Sequence, residues 1–146
     1  MTLFGHHGTL DFTRITQPWL RRAAMDWASE EAPKRRGRAA ANTIRVHIRA
    51  LELLSTSLRL HRDDQGMDPS LLGRADIVAF LNRIAYLHTL EGTQQIFAYQ
   101  RFKIIQRTAK LLRDFRALGL TRPGQSLAGL PDDFSLRRSD APPPAR

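Results

Sequence analysis

The sequence predicts an all-α fold, a four-helix bundle with short connections. In four segments apolar residues recur at three- and four-residue spacing, which is the period of a half-buried helix. Pro, Gly or short polar residues bound each segment, and no segment shows the alternation that is typical of a strand. With 146 residues, of which 42% are hydrophobic and 25% charged, the chain is long enough for one globular domain.

The first predicted helix begins with Thr16 as its N-cap. Pro18 lies in the first turn, where a backbone N–H is not needed, and Pro33 stops the helix near Ala32. Both tryptophans lie on its apolar stripe, so they are expected in the core rather than on a ligand. The residues of this stripe are Trp19, Leu20, Ala23, Ala24 and Trp27.

The second predicted helix covers about residues 40–60 and follows a basic turn at residues 34–38. Arg38, Arg45 and Arg49 are expected on a side away from the core, and His47 is expected at the surface beside them. The residues expected to face inward are Ile44, Ile48, Leu51, Leu54, Ser55 and Leu58.

The third predicted helix follows Gly73 and ends at Gly92. Asp76 lies close to its N-terminus, where a negative charge is favourable, and Asp68 is expected to cap a short turn just before it. The residues expected to face inward are Ile77, Phe80, Leu81, Ile84 and Leu87.

The fourth and longest predicted helix covers about residues 94–118, with Thr93 as its N-cap and Gly119 just past its end. Its apolar residues recur on one side, from Phe97 to Leu118. The residues expected on its outer face are Arg101, Lys103, Arg107, Lys110, Arg113 and Arg116.

These elements predict a helical domain over residues 15–122. Residues 1–14 are expected to form a flexible N-terminal arm. Residues 123–146 are poor in apolar residues and end in a run of prolines, so a disordered linker or tail is expected there.

The positive charge of the chain is concentrated in two segments. The chain has 23 Lys and Arg against 14 Asp and Glu, a formal charge of +9. Residues 33–62 hold eight basic and one acidic side chain, and residues 101–122 hold seven and one. Two basic blocks on surface helices favour a polyanionic partner, although a single basic helix face is often simply solvated. Nearly all the cations are arginine, whose planar fork suits phosphate and guanine.

Several other classes of function are not expected. The chain has no cysteine, so disulfides, thiolate zinc sites and cysteine nucleophiles are excluded. The five histidines have no metal-ligand spacing, and no catalytic triad or paired-carboxylate motif stands out. No apolar run is long enough for a membrane span, and the N-terminus does not resemble a signal peptide. We therefore expect no enzymatic activity, no cofactor, no small-molecule substrate, no membrane partner and a cytoplasmic location.

In their order and spacing, eight short strings resemble the N-terminal core-binding domain of tyrosine recombinases, also called phage integrases. The resemblance covers about residues 10–136. The strings are DFTRI at 11–15, QPWLR at 17–21, TI at 43–44, DP at 68–69, LGRADI at 72–77, FL at 80–81, LGL at 118–120 and GLPDDF at 129–134.

This resemblance implies a SAM-like helical bundle whose second and fourth helices lie against duplex DNA at a recombination site, with other integrase protomers as further partners. By position it implies DNA contacts from Thr43, Arg45 and Arg49, and from Arg101 with Gln95 and Tyr99 nearby. With the charge pattern added, the candidate DNA-binding residues are Arg35, Arg38, Thr43, Arg45, Arg49, Gln95, Tyr99, Arg101, Lys103, Arg107 and Lys110.

The chain departs from the family because it lacks the C-terminal catalytic domain, which supplies the Arg, Lys, His and nucleophilic Tyr for strand exchange. Its only tyrosines, Tyr86 and Tyr99, lie within predicted helices of the bundle. We therefore expect no strand transfer by this chain alone, whether it is an excerpt of an enzyme, a truncated mobile-element protein or a stand-alone DNA binder. The alternative is a protein-interaction bundle in which Val46, Leu53 and Leu60 dock a partner helix or a second copy.

Overall fold

Four helices make up most of the described part of the chain. The computed structural model describes residues 10–34, 39–91 and 94–140, with the side chains of all of these except residues 39, 87–91 and 94–98. No strand occurs among the residues described. The predicted all-α architecture with four helices is therefore confirmed. The helices are α1 (Pro18–Glu31), α2 (Ala39–His61), α3 (Arg74–Glu91) and α4 (Gln94–Ala117), with short 3₁₀ turns at Ala32–Lys34, Pro69–Leu71 and Arg138–Asp140.

The start of α1 lies one residue later than the sequence predicts. Thr16 is not the N-cap, because its backbone N–H donates to Ser55 Oγ of α2 at 3.0 Å and its hydroxyl lies 3.3 Å from the same atom. Gln17 takes the N-cap position without a side-chain capping bond, and Pro18 is the first helical residue. The Gln17 side chain is buried and donates to the carbonyls of Ser55 and Gln65. These bonds fix α1 against α2 and the loop that follows it.

The predicted inward face of α2 is confirmed, since all six residues expected there are buried. The expectation that His47 lies at the surface is wrong, because His47 is only 7% exposed. Its ring packs against Trp27 with 5.3 Å between centroids, and its Nδ1 donates to the Thr43 carbonyl at 2.8 Å. His47 lies three residues after Ile44, and this spacing places it on the buried side of the helix whatever its polarity. The position of His47 along the helix, rather than its polarity, therefore determines its burial.

The predicted capping around α3 is confirmed. Asp68 accepts a hydrogen bond from the Ser70 backbone N–H at 3.0 Å. Asp76 is buried in the first turn of α3 and accepts from the Gly73 N–H at 2.9 Å. His61 at the end of α2 lies 3.6 Å from Asp76, so the same carboxylate also links α2 to α3.

The end of α4 has the predicted glycine cap. Gly119 has a φ of +76°, a left-handed conformation that favours glycine. Its N–H donates to the Arg116 carbonyl, and the Leu120 N–H donates to the Phe115 carbonyl. This pair of bonds is a Schellman motif, which ends the helix and turns the chain back towards the core.

The C-terminal segment, residues 123–140, is folded, contrary to the prediction of a disordered tail. Leu127 and Phe134 are fully buried and Leu130 nearly so, all within the main core cluster. Arg116 of α4 donates to the carbonyls of Pro131 and Phe134 at 3.1 and 3.2 Å. The predicted disordered tail is therefore wrong for residues 123–140, because a few well-spaced apolar residues pack through turns without any helical period. Residues 141–146 lie outside the described residues.

The N-terminal boundary is also corrected. Leu10, Phe12 and Ile15 are buried in the same core cluster. Asp11 accepts hydrogen bonds from the backbone and hydroxyl of Thr13, which hold a turn between these residues. Residues 10–14 therefore belong to the folded domain, and the predicted arm is wrong for them. Residues 1–9 lie outside the described residues.

Candidate nucleic-acid interface

The outward side of α2 forms a long polar stripe. Its members recur every three or four residues, so they share one helix face opposite the core. Four of them are exposed, and Glu52 and Thr56 are half-buried. At 1.5 Å per residue the stripe is about 26 Å long. We call this face the α2 stripe, which consists of Asn42, Arg45, Arg49, Glu52, Thr56 and Arg59.

Two predicted DNA-contacting residues lie on the α2 stripe, one helical turn apart. Arg45 and Arg49 are exposed, and Arg49 forms an ion pair with Glu52 at 3.2 Å. The Arg49 side chain is 61% exposed, so its guanidinium is accessible to a phosphate beside this ion pair. Thr43 is half-buried at the edge of the stripe, and its carbonyl accepts the His47 hydrogen bond.

Arg59 is a further basic residue of the α2 stripe that the sequence analysis missed. It is exposed and lies ten residues after Arg49, close to three helical turns. Extending the spacing of Arg45 and Arg49 along the helix would have found it. With Arg59 the stripe has a cation in its C-terminal part as well as in its N-terminal half.

At the start of α4 the predicted residues separate into exposed and shielded ones. Tyr99 is exposed, and the Lys103 ammonium lies 5.5 Å from the centre of its ring. Arg101 is half-buried, and its Nε is shielded from solvent without a hydrogen-bond partner. The expected outer-face position of Arg101 is wrong, because Arg101 lies four residues before Ile105 and seven before Thr108, which are both buried.

Lys110 belongs to a polar network inside the domain. Its ammonium lies 2.6 Å from Asp114 Oδ2, 4.0 Å from Glu31 and 5.8 Å from the centre of the Trp27 ring. Asp114 also accepts from Trp27 Nε1 at 2.9 Å. Lys110 therefore points towards α1 and is held by an acidic side chain on each of two helices. The structure does not bring it together with the cations of the α2 stripe, which lie on the side of α2 opposite His47 and Trp27.

The charge of Asp114 maintains this network. Burial on its own would raise the pKa of Asp114, but hydrogen bonds from Lys110 and Trp27 and the nearby charge of Arg113 outweigh it, and the pKa lies below its usual range. The carboxylate is thus ionised at neutral pH and keeps Lys110 in place. A cleft of about 270 Å³ opens beside it. Its charged lining residues are Glu30, Glu31, Lys34, Lys110 and Asp114.

Among the remaining candidates, Arg107 is half-buried on the middle of α4. Arg35 and Arg38 lie outside the described residues, and so does the side chain of Gln95. Over the part of the chain that the structure describes, no group of three or more His, Asp or Glu side chains could hold a metal ion. No helix in that part has the length and apolarity needed to cross a membrane.

No protein-family model matches this chain, and neither a curated protein nor a solved structure matches it. The fold and the surface of the chain are therefore the basis for assigning its class. The described residues form an all-α domain with four helices, and the exposed side of α2 is basic.

Proposed function

We propose that this chain is a DNA-binding domain of the core-binding type found in tyrosine recombinases. In this proposal it contacts duplex DNA at a recombination site through α2 and α4, and the α2 stripe makes most of the contacts. The observation that carries the proposal is the exposure of Arg45, Arg49 and Arg59 along one side of α2, while the opposite side is buried in the core.

The dimensions of the α2 stripe suit this role. The major groove of B-DNA is about 12 Å wide and admits an α-helix. A stripe of about 26 Å is longer than that width, so its ends can reach phosphates on both sides while its middle faces base edges. Asn42 and the arginines are residue types that bind both base edges and phosphates. From α4, Lys103, Arg107 and Arg113 would add phosphate contacts.

The resemblance to integrase core-binding domains supports the same helices. It assigns DNA contact to the second and fourth helices, which are the two basic segments of the chain. The two tyrosines of the chain lie on α3 and α4, and the Arg, Lys, His and nucleophilic Tyr of strand exchange belong to a catalytic domain that the resemblance does not cover. We therefore propose no strand transfer by this chain alone. In this proposal DNA is the main partner, and other integrase protomers bind the same DNA. The lack of cysteine is compatible with a cytoplasmic location.

The test is a titration of the protein with labelled duplex DNA at increasing salt concentration. If the gene lies in a mobile element, the DNA includes the attachment site of that element. Affinity should fall steeply between about 50 and 200 mM salt, because each neutralised phosphate releases counterions. Arg49→Glu should weaken binding about tenfold or more. Arg22→Glu, which makes the same charge change on the exposed side of α1, should have a much smaller effect. Undetectable binding of the wild type at about 50 mM salt would refute the proposal.

A second candidate function is a protein-interaction bundle, and one observation favours it. Leu60 is 58% exposed at the end of α2. Val46 and Leu53 are half-buried, and Leu53 already packs against the core, so the expected docking stripe is largely reduced to Leu60. Sedimentation at about 1 M salt separates the two functions, because apolar association persists at high salt and phosphate binding does not.

A further inference from the structure

Two exposed aromatic side chains lie on α3 and α4. Tyr86 is 63% exposed and Tyr99 is 47% exposed. All other Phe, Tyr and Trp side chains that the structure describes are buried or half-buried. Among the described Phe, Tyr and Trp residues, exposed rings therefore occur at these two positions alone.

The positions of the two tyrosines correspond to each other in the two helices. α3 and α4 pack against each other and are separated by two residues in the chain. Tyr86 lies five residues before the end of α3, and Tyr99 lies five residues after the start of α4. At 1.5 Å per residue, each tyrosine is attached about 7.5 Å along its helix from the end that faces the two-residue connection. Both tyrosines therefore lie near the connected ends of two helices that pack together.

Both rings point away from the core. Tyr86 lies nine residues after Ile77, and Tyr99 lies nine residues before Thr108. Nine residues correspond to two and a half helical turns, so each tyrosine is on the side of its helix opposite a fully buried residue. Neither ring contributes to the core of this domain.

The part of the chain that holds the two tyrosines is basic, and one of its cations lies close to a ring. Between residues 77 and 107 the chain has one acidic residue, Glu91, and four Lys or Arg residues, which are Arg83, Arg101, Lys103 and Arg107. The ammonium of Lys103 lies 5.5 Å from the Tyr99 ring centre. Aromatic rings next to cations are the combination that single-stranded nucleic acid binds, with bases on the rings and phosphates on the charges.

We propose that Tyr86 and Tyr99 form a stacking surface for unpaired nucleic-acid bases, distinct from the α2 stripe that contacts the duplex. This inference rests on the proposed function, since it assigns a second contact to a nucleic-acid-binding domain. An unpaired strand is the occupant that the charge favours. A second copy of this chain would bring two domains with a formal charge of +9 against each other, with one acidic residue on this stretch to offset the repulsion.

The experiment compares the binding of four probes to the full chain at about 50 mM salt: a twelve-nucleotide oligo-dT, the same length of oligo-rU, a blunt duplex, and a duplex with a single-stranded overhang. Tyr86→Ala and Tyr99→Ala should each weaken binding of the single strand about 5- to 100-fold, which is the usual range for losing one stacked base. Tyr86→Phe and Tyr99→Phe keep the ring and should bind like the wild type. Blunt-duplex binding should be unchanged in Tyr86→Ala and Tyr86→Phe, because α3 is not part of the proposed duplex interface. The oligo-dT and oligo-rU arms show whether the unpaired strand is DNA or RNA.

The matched control is Val78→Ala, which shortens another exposed apolar side chain of α3 and should leave single-strand binding unchanged. The inference is overturned if the double variant Tyr86→Ala/Tyr99→Ala binds the single strand like the wild type while the duplex still binds. It is also overturned if the wild type dimerises at about 1 M salt and the double variant does not, because the rings then form a protein interface. Failure of every probe to bind the wild type would instead refute the proposed function itself.

Discussion

α2 and α4 come from segments of almost equal charge and differ in what the fold does with that charge. The segment of α2 has eight basic and one acidic side chain, and that of α4 has seven and one. On α2 the arginines at 45, 49 and 59 are exposed on one side. On α4, Lys110 is bound to Asp114, Arg116 donates to two carbonyls of the C-terminal segment, and Arg101 is partly shielded.

This difference shows that charge counted along a sequence is not the charge that a partner can reach. α4 is covered on part of its surface by α1 and by the C-terminal segment, whose carbonyls and carboxylates need donors. Lysines and arginines at those positions are bound within the domain. On α2, Arg45, Arg49 and Arg59 are exposed to solvent.

The largest expected effect tests the internal role of the α4 charges. Asp114→Ala removes the acceptor of both Trp27 and Lys110, which leaves the indole N–H without its partner and Lys110 with the more distant Glu31 carboxylate alone. We expect the free energy of unfolding to fall by about 2–4 kcal/mol, measured by urea denaturation. Asp132→Ala, at an exposed position, is the control and should change it by less than about 0.5 kcal/mol. Equal small losses would mean that the network is not structural.

A smaller effect, with a defined pH dependence, is expected at the C-terminal segment. The hydrogen bonds from Arg74 lower the pKa of Asp140, and Arg74 Nη1 donates to it at 2.9 Å. Because the folded-state pKa lies below the unfolded value of about 3.9, the stabilisation is present above that value and is lost as the pH falls through the folded pKa. Asp140→Asn should therefore lower the free energy of unfolding by about 1–2 kcal/mol at pH 7.

Thermal or urea unfolding of wild type and Asp140→Asn at several pH values checks this. The difference between them should shrink below about pH 4 and disappear at lower pH. Asp132→Asn serves as the exposed control at each pH. A difference that stays constant down to about pH 2 would show that the carboxylate charge does not hold this segment.

The smallest effects separate the two helices directly. Arg49→Ala should lower the slope of log affinity against log salt by about 0.9, the value for one lost phosphate contact, and should change stability by less than about 0.5 kcal/mol. Lys110→Met should do the opposite. It should lower stability by about 1 kcal/mol through loss of the Asp114 bond and leave the salt slope unchanged. A reduced salt slope for Lys110→Met would place Lys110 at the DNA.

Much of the fold was predictable because local spacing determines it. The spacing of apolar residues predicts the inward face of α2 and the extent of α2 and α4. Residues that favour helix ends predict the capping by Asp68 and Asp76 and the glycine at the end of α4. These features depend on residues a few positions apart, and the sequence shows such spacing directly.

The features that the sequence did not predict have two causes. At His47 and Arg101 the polar residue type indicates the surface while the spacing along the helix indicates an inward position, and the spacing prevails. The other features depend on contacts between distant residues. Leu127 and Phe134 pack in a core cluster formed by residues of several helices. No periodic pattern of apolar residues in the segment around them predicts this packing. The candidate site was predictable as a basic face on α2. It was not predictable on α4, where distant residues such as Glu31 and Pro131 bind the cations.

The most direct test of the claim that α2 presents the DNA surface is a comparison of two charge-reversal pairs at about 100 mM salt. Arg45→Glu/Arg49→Glu changes α2, and Arg107→Glu/Arg113→Glu makes the same change in charge on α4. Circular dichroism of both variants should match the wild type. We expect the α2 pair to lower affinity for duplex DNA by at least about 100-fold and the α4 pair by about 10-fold. An equal or larger loss for the α4 pair would contradict the account.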